Sequence, residues 1–146
     1  MEHLEPWNLA SLTELFASDP DELGDVDVSV VEETDVLRVT LREKGDLDVL
    51  ITASGDQVLA SVILVKASEV PRRAEFDRMI LSTHKLVPLS TFGIVTIDGE
   101  EWYELFGALS ALSSEHAMLE EIAVLAENAV DAADMIHDWR NGEFGQ

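Results

Sequence analysis

Two prolines and one aspartate–glycine pair organise residues 70–109 of this chain. Pro71 has its φ already near the helical value and no N–H for an early helical position to leave unpaired, so Ser68, Glu69, Val70 and Pro71 predict the start of a helix over 71–84. Phe76, Met79 and Ile80 fall at helical spacing and form its apolar stripe, leaving Arg72, Arg73, Glu75 and Arg78 for water or a partner. The residue before a proline is pushed out of the helical region, so this helix must stop short of Pro88. Beyond it, Phe92, Ile94 and Thr96 alternate with Gly93, Val95 and Ile97, which predicts a strand buried on both faces or nearly so. Asp98 and Gly99 supply the positive φ of a two-residue hairpin, and 102–109 returns beside the first strand. The unit is helix, crossing loop, hairpin.

The flanking segments extend this pattern. Asn8 is a suitable N-cap for a short helix in which Leu9, Leu12, Leu15 and Phe16 share a face, ended by Asp19, Pro20 and Asp21. Val26, Val28 and Val30 alternate with polar residues, as do Leu37, Val39 and Leu41, predicting two half-buried strands joined through Glu33, Thr34 and Asp35. A turn over 43–46 leads to a third strand carrying Leu47, Val49 and Ile51, and Ser54, Gly55 and Asp56 lead to a fourth over 57–66. That fourth strand is apolar at both parities, so it is expected to be central and covered. At the other end, Ser113 or Ser114 caps a long helix whose seam is Met118, Ile122, Leu125, Ala129, Ala132, Ile136 and Trp139, widened by Leu119, Ala126 and Ala133. Glu120, Glu127, Asp131, Asp134 and Asp138 face the other way, and Gly142 ends the helix before a short flexible tail, 141–146.

The expected architecture is one α+β domain over 1–146, a two-layer sandwich with a mainly antiparallel sheet in the order α-β-β-β-β-α-β-β-α. A chain of 146 residues can bury about two-thirds of the surface its unfolded form exposes and needs no covalent staple. None is available, because cysteine is absent, which excludes disulfides, thiolate zinc sites and cysteine nucleophiles and suits the cytoplasm. Residues 1–7 lack the basic and apolar regions of a signal peptide, and no apolar run is long enough to span a bilayer.

Charge narrows the partners. Thirty acidic residues against nine basic ones give a net charge of −21, which opposes direct binding to phosphate backbones. Locally the balance reverses: Lys66, Arg72, Arg73, Arg78 and Lys85 meet only Glu69, Glu75 and Asp77 between positions 66 and 85. Such a reversal fits either a docking face for an acidic partner, a second copy included, or residues that balance the acidic last helix within one molecule. The general acidity fits solubility at high salt, a basic partner, or mimicry of nucleic acid.

Catalytic patterns are sparse. There is no phosphate-binding glycine loop, no nucleophile elbow and no pair of zinc histidines around a glutamate. His116 with Glu120, and His137 with Asp134 or Asp138, offer two metal ligands each, short of a metal site. His84, Lys85 and Ser90 around the Pro88 loop are the one set from which a small hydrolase or metal-dependent site could be built, although a helix end and a turn hydroxyl explain the same residues.

The element order, with Val70, Pro71 and Arg72, then Thr83, His84, Lys85, Pro88, Leu89, Ser90, Thr91, Phe92 and Gly93, and finally Leu109, Ser110, Ala111, Ser113 and Ser114, resembles the YjfI family of bacterial proteins. That family is a domain of unknown function without established catalytic residues. The resemblance implies a small cytosolic protein associated with phage-shock-protein-A-like coiled-coil proteins of envelope stress. In topology alone the chain is similar to type III secretion chaperones, small acidic dimers without enzymatic activity. The resulting expectation is a homodimeric, chaperone-like adaptor without a cofactor or metal, neither inserting in membranes nor binding nucleic acid directly. Its partner segment would dock on an exposed sheet edge or around Arg72, Arg73, Arg78, His84, Lys85 and Ser90.

Overall fold

Strands that alternate apolar and polar residues bury one side only when they pair into a sheet and that side is roofed. In the computed structural model, which describes residues 5–83 and 90–143, six segments pair in this way: β1 (Val26–Val30), β2 (Leu37–Leu41), β3 (Leu47–Ser54), β4 (Gln57–Lys66), β5 (Thr91–Ile97) and β6 (Glu100–Ser110). All neighbours are antiparallel and the spatial order is β1-β2-β3-β4-β6-β5. Three helices, α1 (Leu9–Ala17), α2 (Arg73–Thr83) and α3 (Glu115–Arg140), roof one face, giving the expected α+β order.

Two of the three helices start at a side-chain cap. At α1 the Asn8 side chain accepts from the Ser11 N–H at 2.9 Å while the Ser11 hydroxyl accepts from the Asn8 N–H at 3.0 Å, a reciprocal capping box. At α3 the Ser114 hydroxyl accepts from the Ala117 N–H at 3.1 Å. Leu12 and Phe16 carry α1 onto β1 and β2, and the α3 seam of Met118, Ile122, Leu125 and Ala129 crosses β3, β4 and β6. Every predicted seam residue of α3 from Met118 to Trp139 is buried, as are Leu119 and Ala126, whereas Ala133 lies exposed. Trp7 ties the start of the chain to the β6–α3 junction through its Nε1–H to the Ser113 carbonyl at 2.7 Å.

The structure corrects three expectations. The helix begins at Arg73 and not at Pro71: a 3-10 turn over Ala67–Glu69 precedes it, and Arg72 takes a left-handed φ of 51° that no helix accommodates. β5 is not buried on both faces but is an edge strand, with Ile94 48 % and Ile97 39 % exposed. Apolar residues at both parities satisfy a strand that has a helix beside one face and a bare sheet on the other, so alternation alone does not separate the two cases. β4 is central, between β3 and β6, yet roofed on one face only, and Leu59 and Ile63 are half-buried on the other. A bulge between Ile63 and Val65 reverses the parity of β4, bringing Val65 opposite the buried Tyr103.

At the C-terminus, Asn141, Gly142 and Glu143 donate backbone bonds to the last turn of α3, at 3.1, 3.2 and 2.8 Å, so this part of the expected tail caps the helix. Residues 144–146 lie outside the described residues.

Candidate docking surface beside the β5 edge

The α2 helix is attached to the rest of the molecule by aromatic packing. Phe76 is fully buried and meets Tyr103 of β6 at 5.2 Å and Trp139 of α3 at 5.3 Å, both edge-on. The Tyr103 hydroxyl donates to Asp77, and burial, reinforced by that bond, pushes the phenol up to about 12. Tyr103 therefore stays a neutral donor throughout the physiological range.

The basic residues of this region are used unequally. Arg72 lies 4.4 Å over the Trp139 ring and donates to the Trp139 carbonyl at 2.8 Å, while Trp139 Nε1–H donates back to the Pro71 carbonyl at 2.7 Å. The left-handed turn at Arg72 is the geometry that makes this reciprocal clamp reach. Arg73 pairs with Glu101 at 2.9 Å and lies 5.9 Å from the Tyr103 ring, and its hydrogen bonds to Glu101 and Tyr103 raise its pKa. Arg78 is exposed and makes no ion pair among the described residues. Ser90 is 6 % exposed and accepts from the Asn128 side-chain amide at 2.9 Å, which fixes the start of β5 to α3. His84 and Lys85 lie outside the described residues.

Among the described residues the roof leaves a gap between α2 and β5. The gap is a mostly apolar groove of about 260 Å³ lined by Ile80 and Leu81 on one side and Phe92, Gly93 and Ile94 on the other, with Tyr103 and Asp77 completing it. Leu81 is 76 % exposed and Ile94 48 %. β5 itself carries no charge and no proline, and pairs only with β6 among the described residues. Natural edge strands are usually blunted by lysine, proline or a bulge, and β5 shows none of these among the described residues. The groove was missed at the sequence level because Leu81 lies one residue past the α2 stripe; the uncharged run 91–97 was the available signal.

Among the described residues no group of three or more His, Asp or Glu side chains is placed to hold a metal ion, and no helix is long and apolar enough to cross a membrane. His116 and Glu120 approach to 3.5 Å as an exposed pair one helical turn apart.

A six-stranded antiparallel sheet roofed on one face by three helices, with a groove beside the β5 edge among the described residues, is a two-layer α+β domain. Among solved structures it is similar to E. coli YbjN, with a TM-score of 0.59 and 14 % identity over 86 % of this chain and 93 % of that one. It is also similar to a chain of the ExsC–ExsE complex, with a TM-score of 0.50 and 13 % identity over 88 % and 95 %. The chain belongs to the family described as "Uncharacterized protein conserved in bacteria" (DUF2170), whose pattern matches residues 6–140. Its relatives include the uncharacterized protein YjfI of E. coli K12, 29 % identical over 133 residues, covering 91 % of this chain and 97 % of YjfI, and the YjfI of E. coli O157:H7 at the same identity and coverage.

Proposed function

We propose that this chain is a non-enzymatic, chaperone-like adaptor of the cytoplasm that holds a segment of a partner protein along β5. The observation that carries the reading is the uncharged, proline-free edge strand lying beside the groove of Ile80, Leu81 and Ile94. An extended segment adds main-chain bonds to that edge and sets an apolar side chain into the groove. Arg78 supplies positive charge beside the site for an acidic residue of the partner, the role that the sequence also offers for His84 and Lys85, which lie outside the described residues; Arg72, Arg73 and Ser90 support the site by holding α2 and β5 in place. The partner implied by the family resemblance is a phage-shock-protein-A-like coiled-coil protein, and the adaptor acts as a homodimer. ExsC, a fold relative, is known in complex with ExsE, which supports a protein partner. The buried and bonded hydroxyl of Ser90 favours a structural role for that residue over a nucleophile.

The test is a tagged pull-down from native cytoplasm at moderate salt with the wild type, the Leu81→Asp/Ile94→Asp double variant and Arg78→Glu, read by mass spectrometry beside sedimentation of each protein. One stoichiometric partner, lost in the double variant and weakened in Arg78→Glu, is the expected result. A partner retained equally by all three proteins, or none in any of them, refutes docking at this edge.

A further inference from the structure

The face of the sheet turned away from the helices is bare among the described residues. Strand parity places Trp102, Glu104 and Phe106 of β6 on it, beside Leu59 and Ile63 of β4, Leu50 of β3, and Val95 and Ile97 of β5. All are half-buried except Ile97, which is 39 % exposed. Together they make an apolar stripe across four adjacent strands.

Glu104 stands inside this stripe. It pairs across the sheet with Ile63 on one side and Gly93 on the other, and Trp102 and Phe106 flank it along its own strand. Gly93 makes the site concave: a Cβ added there would lie 3.0 Å from Phe106 Cε1 and 3.5 Å from Glu104 Oε1, so both side chains fold over bare backbone. Desolvation by this packing raises the Glu104 pKa. No cation answers the carboxylate among the described residues, because neighbouring Lys66 pairs with Glu100 at 2.9 Å and Arg73 with Glu101. A half-buried charge without a counter-charge weakens a sheet that any aliphatic residue at this position would strengthen.

We propose that this bare face is a second docking surface, distinct from the β5 edge, for a basic amphipathic segment of another protein. Aliphatic side chains of that segment cover Ile63 and Phe106 next to Trp102, over whose ring Lys66 Nζ already lies at 5.5 Å, and one lysine or arginine pairs with Glu104. Charge complementarity selects this occupant. A second copy seated on this face would bring a second Glu104 against the first, and an acidic segment would meet the same opposition.

The experiment uses the full chain, isotope-labelled for NMR, titrated at 0.15 M salt with an eight-residue peptide of alternating valine and lysine and with its valine–glutamine counterpart. Shift changes centred on Ile63, Trp102, Glu104 and Phe106 are expected from the lysine peptide alone. Glu104→Gln is expected to weaken it about tenfold, the loss of one charge-assisted contact. Asp131→Asn, on the exposed face of α3, is expected to leave binding within about twofold, because an exposed charge contributes little. Equal weakening by both variants, equal binding of both peptides, or shifts centred on Leu81 and Ile94 would overturn the proposal. So would a sedimenting dimer dissociated by Phe106→Lys, which would give the face to a second copy. Shifts at Leu81 and Ile94 would assign the peptide to the β5 edge, whereas absence of shifts at Ile63, Trp102, Glu104 and Phe106 overturns this face and leaves the β5 edge to its own test.

Discussion

Arg72 belongs to the basic run that the sequence offers as a docking face, but its geometry makes it a clamp between the start of α2 and the end of α3. Truncating it to alanine removes a charged donor from the Trp139 carbonyl, a bond of 2.8 Å worth about 1.5 kcal/mol, and a guanidinium 4.4 Å from the indole, worth about 0.5–1 kcal/mol at an exposed site. Arg72→Ala should therefore destabilise by about 2 kcal/mol. Arg72→Gly deletes the same contacts, yet at a φ of 51° it also relieves the left-handed strain borne by any residue with a Cβ. After the greater freedom of glycine in the unfolded chain is counted, it should be about 1 kcal/mol less harmful than alanine. The ordering is unusual, since glycine is normally the worse substitution near a helix start. Urea unfolding followed by tryptophan fluorescence measures it, with Arg78→Ala as a control expected within about 0.5 kcal/mol of wild type. Arg72→Ala as mild as Arg78→Ala, or glycine worse than alanine, would refute the clamp.

Three further outcomes follow from the same packing. Phe76→Ala removes a fully buried ring shared by Tyr103 and Trp139 and should cost about 3–5 kcal/mol in thermal or urea unfolding, loosening α2 selectively in hydrogen exchange. Gly93→Val drives a side chain into Phe106 and should cost about 1–3 kcal/mol, with the Phe106 ring resonances shifting most. Glu121 of α3 is 5 % exposed, and burial together with neighbouring Glu120 raises its pKa above 4.5. The folded state thus holds its proton to higher pH than the unfolded one, so this group weakens stability as pH rises through that window. Glu121→Gln should raise the urea midpoint at pH 7 and lose that advantage below pH 4.5, where both states are protonated.

Much of the local structure was legible before any coordinates. The Asn8 cap, the Asp98–Gly99 hairpin, the Ser114 cap and the α3 seam each depend on residues within a turn or two of one another, and each appears at its expected place. The candidate site was less legible. Arg72, Arg73, Arg78 and Ser90 are close in sequence, but one packs on Trp139, one pairs with Glu101, one is exposed, and one is bonded to Asn128. Residues far along the chain supply those partners, and nothing in the spacing of the arginines points to them.

The sequence by itself determined the number, type and order of the elements, and it excluded cysteine chemistry, because hydrophobic period, capping and turn residues act over a few positions. Tertiary structure alone decided that β6 inserts between β4 and β5. That insertion leaves β5 at the edge, places the groove beside α2 and brings Glu104 into an apolar stripe without an ion-pair partner among the described residues. The reason is that alternation records which residues of a strand share a face, while the choice of neighbours is made by pairing between distant segments.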